Sequence, residues 1–248
     1  MTEKNIENGL AIPKNGITIS THPAEPRQGV FLSAFANTTG MPVGIHIANT
    51  ILNAINTQEN KMTDISKTTL YSGGHKGAEA AFGKLAEAWN MNEVTVSFEG
   101  HNAVRTRGVL VLNAEELQKG DVSMEIVSKR MNRTYSRGNK IRKVIQSIFH
   151  MVNSGYHVIA VGWIQADNTV KGGTGWGVEL AKLFNRPLSV YDQERKEWFS
   201  WENSQWVEST PVITSDTFAG TGTRFLSEEG QKALYDLFVR SFGPVENN

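Results

Sequence analysis

The 248-residue sequence contains no cysteine, no long apolar run and no excess of either charge. Without cysteine the chain can form no disulfide, thiol nucleophile, iron–sulfur cluster or cysteine-ligated zinc site. No stretch approaches the roughly 18 consecutive apolar residues that a membrane-spanning helix needs. The 25 Lys and Arg residues balance the 25 Asp and Glu residues. This balance argues against a nucleic-acid partner, because a duplex-binding surface normally appears as a basic excess.

The remaining composition is typical of a globular protein with a sizeable core, at 39% hydrophobic and 20% charged residues. The N-terminal segment MTEKNIENGL lacks the basic-then-apolar order of a secretory signal peptide. We therefore expect a cytoplasmic protein that makes no contact with a membrane. The histidines form no H-E-x-x-H or similar metal-binding pattern. The sequence thus predicts no metal site and no cofactor.

Composition divides the chain near residue 65. Residues 1–65 carry four of the seven prolines, and we interpret them as an N-terminal extension packed on the main domain. A short strand at 17–19 and a helix at 44–56 are predicted within it. Over 66–248, short β-rich runs alternate with amphipathic helices. This alternation predicts a Rossmann-like α/β domain with a mostly parallel sheet and helices on both faces.

Hydrophobic periodicity locates the elements of this domain. Three tryptophans, Trp198, Trp201 and Trp206, lie in a polar segment that we interpret as a hairpin. The other predicted strands are 68–71, 94–98, 109–112, 158–163, 188–191 and 217–219, and the predicted helices are 78–89, 141–152, 176–184 and 228–242.

Three predicted strands end in glycine-rich turns that lead toward a helix. These turns are SGGHKGAE (72–79), KGGTGWGVE (171–179) and FAGTGTR (218–224). Glycine lets backbone N–H groups approach a ligand closely, and the N-terminus of a helix attracts an anion. In a parallel sheet all three turns lie at the carboxyl edge, where α/β proteins bind ligands. The turns therefore predict phosphate or nucleotide binding, although none matches the P-loop pattern of ATP-hydrolysing proteins.

The candidate ligand-binding residues lie in these turns. Arg224 directly follows its turn, where a guanidinium can grip a phosphate with two hydrogen bonds, a surface salt bridge being the alternative. Lys76 and His101 could add contacts of their own. The full set of candidates is Ser72, Gly73, Gly74, His75, Gly77, Lys171, Gly172, Gly173, Thr174, Gly175, Trp176, Gly220, Thr221, Gly222 and Arg224.

Two of the turns carry a resemblance to a known superfamily. SGGHKGAEAAF resembles the SGGxxGAD-type turn of the SLOG superfamily, which groups the LOG phosphoribohydrolases, DprA and YpsA. FAGTGTR resembles the AGxGSR-type turn that normally opens that fold, but here it comes last. This order resembles the circularly permuted YpsA branch, and the resemblance covers about residues 66–243. It implies a circularly permuted SLOG domain, and a homo-oligomer because related proteins are commonly dimers.

The third turn, KGGTGWGVE, resembles the PGGxGTxxE signature of LOG enzymes, with Lys171 in place of proline and Trp176 in place of threonine. By this resemblance Glu179 is the candidate catalytic carboxylate, and its arginine partner is either Arg137 or Arg224. Two other interpretations stay open. Glu179 can be an ordinary partner of the helix dipole, and Trp176 could stack on a base.

Two functions from different classes follow. The first is a protein that binds a nucleotide or nucleotide-derived ligand as a sensor, carrier or sequestering protein. The second is a LOG-like N-glycosidase that cleaves a nucleoside 5′-monophosphate to base and sugar phosphate, with Glu179 stabilising the developing positive charge. The basic run 129–143 keeps a third function open, which is DprA-like binding of single-stranded DNA. A solvated helix face explains the same basic run as well. Nothing in the residues selects a molybdenum-cofactor carrier, a further relative.

Overall fold

The computed structural model describes residues 65–135 and 138–245. Eight strands and six α-helices lie in this part of the chain, after a 3-10 turn at Ile65–Lys67. The strands are β1 (Thr69–Ser72), β2 (Asn92–Phe98), β3 (Val109–Leu112), β4 (His157–Gly162), β5 (Leu188–Asp192), β6 (Glu197–Glu202), β7 (Gln205–Glu208) and β8 (Thr217–Gly222). The helices are α1 (Ala78–Ala88), α2 (Ala114–Gln118), α3 (Asp121–Arg130), α4 (Asn139–Ser154), α5 (Thr174–Leu183) and α6 (Glu228–Phe242).

The strands form one sheet in the order β3-β2-β1-β8-β4-β5-β6-β7. Neighbours from β3 to β5 pair in parallel, and the hairpin of β6 and β7 is added antiparallel. The predicted mostly parallel α/β sheet is therefore confirmed. The chain runs outward from β1 to β3 and then crosses to β4 on the far side of β8. Such a reversal of winding opens a crevice at the carboxyl ends of the central strands.

Helices cover both faces of the sheet, as predicted. On one face α1 and α6 enclose a core that includes Phe82, Phe218 and Phe238. On the other face α3, α4 and α5 enclose a second core that includes Met124 and Leu180. All five side chains are completely shielded from solvent, and burial of each contributes about 1.5–3 kcal/mol to folding. These two cores hold the sheet between its helical layers.

Helices α2 and α3 were missed by the sequence analysis. The signal for α2 is a capping box, in which Asn113 and Glu116 exchange hydrogen bonds at the first turn. The signal for α3 is its charge pattern, because Asp121 begins the helix and Arg130 ends it, as the helix dipole favours. The predicted strand at 17–19, the predicted helix at 44–56 and nearly all of the predicted extension 1–65 lie outside the described residues.

Across 65–135 and 138–245, no helix is both long enough and apolar enough to cross a bilayer. A cytoplasmic location stays a prediction.

The structure predicts a loss of stability in mild acid through His157, which lies at the start of β4 with 8% of its surface exposed. Burial lowers the pKa of His157 to about 4, whereas an exposed histidine has a pKa of about 6.5. The unfolded chain therefore takes up a proton at higher pH than the folded chain. We expect the free energy of unfolding to fall between pH 6.5 and 4 by up to about 1.4 kcal/mol per pH unit from this group.

Urea unfolding of the wild type and of His157→Asn across this pH range measures the effect. The variant should have a shallower dependence of stability on pH, because it lacks the titrating ring. Equal slopes for the two proteins would contradict the assignment. Burial also lowers the pKa of His101, so part of the slope should persist in the variant.

Candidate functional site

A cavity of about 310 Å³ lies at the carboxyl edge of the sheet, where the winding reverses. All three glycine turns, which follow β1, β4 and β8, contribute to its wall, and α4 contributes apolar side chains. The predicted ligand-binding residues on this wall are Gly73, His75, Lys171, Gly172, Gly173, Thr174, Thr221, Gly222 and Arg224. Segments that are far apart in the sequence thus meet at one place.

One part of the wall is suited to an anion. The backbone N–H groups of Gly172, Gly173 and Thr174 donate to no described group, as is usual at the N-terminus of a helix. Lys171 and Arg224 on the same wall are exposed. Within the described residues, the Arg224 guanidinium forms no hydrogen bond or ion pair. These donors and cations are therefore available to a ligand.

Three side chains hold the loop between β4 and α5, which forms this part of the wall. The guanidinium of Arg133 donates to the carbonyl oxygen of Gly172 at 2.7 Å. The Lys182 ammonium and the Trp206 indole N–H both donate to the carbonyl oxygen of Asn168, at 2.8 and 3.0 Å. The loop is thus fixed without a ligand, which lowers the entropic cost of binding.

Another part of the wall is a buried carboxylate, Glu79, in the first turn of α1. Its Oε1 accepts a hydrogen bond from the Thr221 hydroxyl at 3.0 Å. Its Oε2 accepts from the backbone N–H of His75 at 3.0 Å and lies 2.9 Å from Nδ1 of the same residue. On the other side of that imidazole, the Nε2 atoms of His75 and His101 lie 3.0 Å apart. Glu79 was not among the predicted site residues, although its spacing of four residues from His75 is a local signal for such a pair.

Arg105 anchors the loop between β2 and β3, which carries His101. Its guanidinium donates through Nε and Nη2 to the two carboxylate oxygens of the buried Glu93, and through Nη1 to Glu87. The hydrogen bonds that the guanidinium donates to Glu93 raise the pKa of Arg105 above its ordinary value. The backbone N–H of Arg105 also donates to the carbonyl oxygen of Gly74. This anchor joins the His101 loop to the turn that carries His75.

The other predicted ligand-binding residues do not line the cavity. A Cβ at Gly220 would lie 2.7 Å from Cγ of Phe82, so this glycine makes room for α1 against β8. The Trp176 ring is buried in the core, 6.0 Å from the ring of Tyr135. The residues in this group are Ser72, Gly74, Gly77, Gly175, Trp176 and Gly220.

Glu179, the predicted catalytic carboxylate, does not line the cavity either. It is buried and pairs with the Lys182 ammonium at 2.7 Å. That ammonium lies 3.8 Å from the centre of the Trp201 ring. Desolvation lowers the pKa of Lys182. Because α5 begins at Thr174 rather than at 176, Glu179 lies about 7.5 Å along the helix axis from the first residue. Its predicted partner Arg137 lies outside the described residues.

Two arginines of the basic run 129–143 are engaged with the protein itself. Arg133 holds the loop before α5, and Arg142 pairs with Asp121 at 2.6 Å. Among the residues of known placement, no three His, Asp or Glu side chains lie close enough together to hold a metal ion.

A scan against family models, a search of the curated proteins and a search of the solved structures each found no match to this chain. The geometry of the cavity is therefore the basis for inferring a function.

The buried ion pair of Glu179 and Lys182 predicts a loss of stability when one partner is removed. Glu179→Gln leaves the ammonium of Lys182 buried without its counterion, and breaking a buried pair in this way costs about 3–5 kcal/mol. Combining it with Lys182→Met removes both charges and should restore much of the lost stability. Urea unfolding of the two single variants and the double variant measures the coupling. A Glu179→Gln protein as stable as the wild type would show that the pair is not structural.

Proposed function

We propose that the chain binds a nucleotide or nucleotide-derived ligand in this cavity and acts as a sensor, carrier or sequestering protein. The observation that carries the proposal is the meeting of three glycine turns on one wall. Free backbone N–H groups at the start of α5 and two exposed cations, Lys171 and Arg224, form a site for a phosphate. The wall carries two positive charges, from these cations, and one negative charge, from the carboxylate of Glu79. The cavity therefore favours an anion.

The rest of the cavity suits the uncharged part of a nucleotide. Val144, Ile148 and Met151 of α4 provide apolar contacts, and Trp163 and Phe225 provide aromatic faces. The Phe225 side chain is 81% exposed, so its ring is available to stack on a base. A mostly apolar lining with a few oriented polar groups is typical of small-molecule sites.

The same arrangement supports membership in the SLOG superfamily in circularly permuted order. Strand β8 pairs directly with β1, so the FAGTGTR turn lies beside the SGGHKGAE turn. If β8 and α6 were moved in front of β1, FAGTGTR would precede SGGHKGAE with one helix between them, as the resemblance implies. A permutation of this kind needs chain ends at the surface and close together. Assembly into a homo-oligomer stays a prediction.

Hydrolysis of the bound ligand is the second candidate function. The buried carboxylate of Glu79 on the cavity wall favours it, because an N-glycosidase needs a carboxylate near the sugar. The reaction would release the base from a nucleoside 5′-monophosphate. The DprA-like alternative has less support, because Arg133 and Arg142 of the basic run bind groups of the protein itself.

Phosphate recognition is tested by calorimetry with adenosine 5′-monophosphate and with adenosine, after mass spectrometry of the native protein for any co-purifying nucleotide. We expect the monophosphate to bind at least tenfold more tightly than adenosine. Arg224→Gln should weaken its binding by about 10- to 100-fold, because a hydrogen bond to a charged group contributes about 1.5–3 kcal/mol. Lys76→Gln is the matched control, since Lys76 is exposed on a glycine turn but does not line the cavity. Equal affinities for the two ligands would contradict the proposal.

Two glycine variants separate binding from packing. A Cβ at Gly173 meets no atom within 4 Å and the backbone there is helical, so Gly173→Ala should fold normally but obstruct the phosphate. Gly220→Ala should lower stability by about 1–3 kcal/mol through overpacking against Phe82 and leave the affinity of the folded protein unchanged. Calorimetry and urea unfolding of both variants measure the two effects. Full affinity in Gly173→Ala would show that the ligand does not approach this turn.

A further inference from the structure

Two histidine rings face each other at the edge of the cavity, and their facing nitrogens converge. Nε2 of His75 lies 3.0 Å from Nε2 of His101. His75 lines the cavity in the turn after β1, whereas His101 lies in the loop between β2 and β3. Because 26 positions separate the two histidines along the chain, no short metal-binding pattern indicates them. The contacts proposed above for a phosphate and a base do not use this pair of rings.

The two rings are inclined to the line that joins their facing nitrogens. The ring centres lie 4.5 Å apart, with 66° between the ring planes. In a straight N–H···N hydrogen bond of this length the centres would lie about 5.3 Å apart, because each nitrogen is about 1.15 Å from its ring centre. The axes of the rings therefore meet the line between the nitrogens at an angle, as they do when two imidazoles bind one ion.

The distance between the facing nitrogens also suits one shared metal ion. Two imidazole nitrogens bound to Zn²⁺ at about 2.0–2.1 Å lie about 2.9 Å apart when the bonds form a right angle, and about 3.3 Å apart at the tetrahedral angle. The 3.0 Å between the Nε2 atoms of His75 and His101 lies between these two values. An ion bound to both rings thus needs little movement of either.

An oxygen atom holds the outer nitrogen of each ring. Nδ1 of His75 lies 2.9 Å from Oε2 of Glu79, and Nδ1 of His101 lies 3.2 Å from the hydroxyl oxygen of Ser97. A carboxylate accepts hydrogen bonds and a hydroxyl can do so, which lets both Nδ1 atoms carry the proton and leaves both Nε2 lone pairs free. Metal-binding histidines are typically oriented in this way, by donation of the other ring N–H to an oxygen.

The loop and the turn that carry the two rings are joined to each other. The His101 ring stacks on Phe98, with 4.6 Å between the ring centres. The backbone N–H of Arg105, in the same loop, donates to the carbonyl oxygen of Gly74 at 3.1 Å. Gly74 directly precedes His75, so this bond fixes one histidine relative to the other. A pair held in this way loses little conformational freedom when it binds an ion.

We propose that His75 and His101 bind one divalent transition-metal ion through their Nε2 atoms, with Glu79 and Ser97 as positioning residues that orient the rings. Imidazole ligands suit Zn²⁺, Ni²⁺ and Cu²⁺, whereas Mg²⁺ and Ca²⁺ prefer oxygen. Within 65–135 and 138–245 no third His, Asp or Glu side chain completes a set of three ligands. The other coordination positions are therefore open to water or to a ligand in the cavity. The inference needs no nucleotide and stands apart from the proposed function.

Calorimetric titration of the whole chain with Zn²⁺, Ni²⁺ and Mg²⁺ tests the site. We expect Zn²⁺ and Ni²⁺ to bind at a site that is lost both in His75→Phe and in His101→Phe, and Mg²⁺ not to bind there. His150→Phe is the matched control and should keep the site, because His150 is partly buried on α4, contacts the carbonyl oxygen of Glu116 and does not line the cavity. Zn²⁺ binding that survives in both ring variants would overturn the inference, since the ion would then bind elsewhere.

The role of Ser97 is tested by Ser97→Ala. Removal of an outer hydrogen-bond partner lowers metal affinity by about 10- to 100-fold, so the variant should bind Zn²⁺ more weakly by that factor while the number of ions per chain is unchanged. Full affinity in Ser97→Ala would reject Ser97 as a positioning residue.

NMR of the protein labelled with ¹⁵N-histidine distinguishes a metal ion from a simple hydrogen bond between the rings. With Zn²⁺ bound, Nδ1 of both His75 and His101 should carry a proton and neither Nε2 should do so. A proton that stays on one of the facing Nε2 atoms at saturating Zn²⁺ would show that a hydrogen bond joins the rings, and would overturn the inference. This measurement uses the wild type and decides even if a ring variant fails to fold.

The metal titrations and the nucleotide titrations fail independently. Absence of Zn²⁺ and Ni²⁺ binding would overturn the metal site and leave the phosphate site intact. Absence of monophosphate binding in a protein that binds Zn²⁺ through His75 and His101 would overturn the proposed function and leave the metal site intact.

Discussion

The last strand of the described chain, β8, hydrogen bonds in parallel to β1 on one side and to β4 on the other. Since parallel strands end at the same edge of a sheet, this pairing places the FAGTGTR turn between the other two glycine turns. The fit depends on Gly222, where a Cβ would lie 2.6 Å from the carbonyl oxygen of Val161 and 2.7 Å from Cβ of Ala78. Across the same junction, the backbone N–H of Ala78 donates to the carbonyl oxygen of Thr223 at 2.9 Å. The cavity exists because these segments approach so closely.

The wall of the cavity combines two chemistries that are each held rigidly. The loop before α5 presents free N–H groups and is fixed by Arg133, and the carboxylate of Glu79 is fixed by Thr221 and His75. Both polar arrangements are held in place by contacts within the protein, so binding requires little reordering of the protein. A phosphate and a polar sugar could then be recognised at separate parts of one wall, which is the basis of the proposed function.

Two glutamates with similar local sequence have different surroundings. Glu79 and Glu179 both follow a glycine turn near the start of a helix, and both are buried. Glu79 lies in the first turn of α1 and reaches the cavity, whereas Glu179 lies further along α5 and pairs with Lys182. Glu79 is the second residue of its helix and Glu179 the sixth of its own, so Glu179 lies about one helical turn further from its glycine turn. Similarity to a motif alone does not show which carboxylate meets a ligand.

The sequence by itself determined the alternation of strands and helices, the hairpin of the tryptophans and the three glycine turns. These features follow from periodicity and turn chemistry, which act over a few neighbouring residues. Helices α2 and α3 and the contact of Glu79 with His75 were within reach of the same local rules, through the capping box at Asn113 and the spacing of four residues between Glu79 and His75. Only the tertiary structure decided that β8 lies beside β1, that Gly220 accommodates Phe82, and that His101 meets His75. Those contacts join residues far apart in the chain, and they are selected by packing and hydrogen-bond satisfaction across the whole sheet rather than by local pattern.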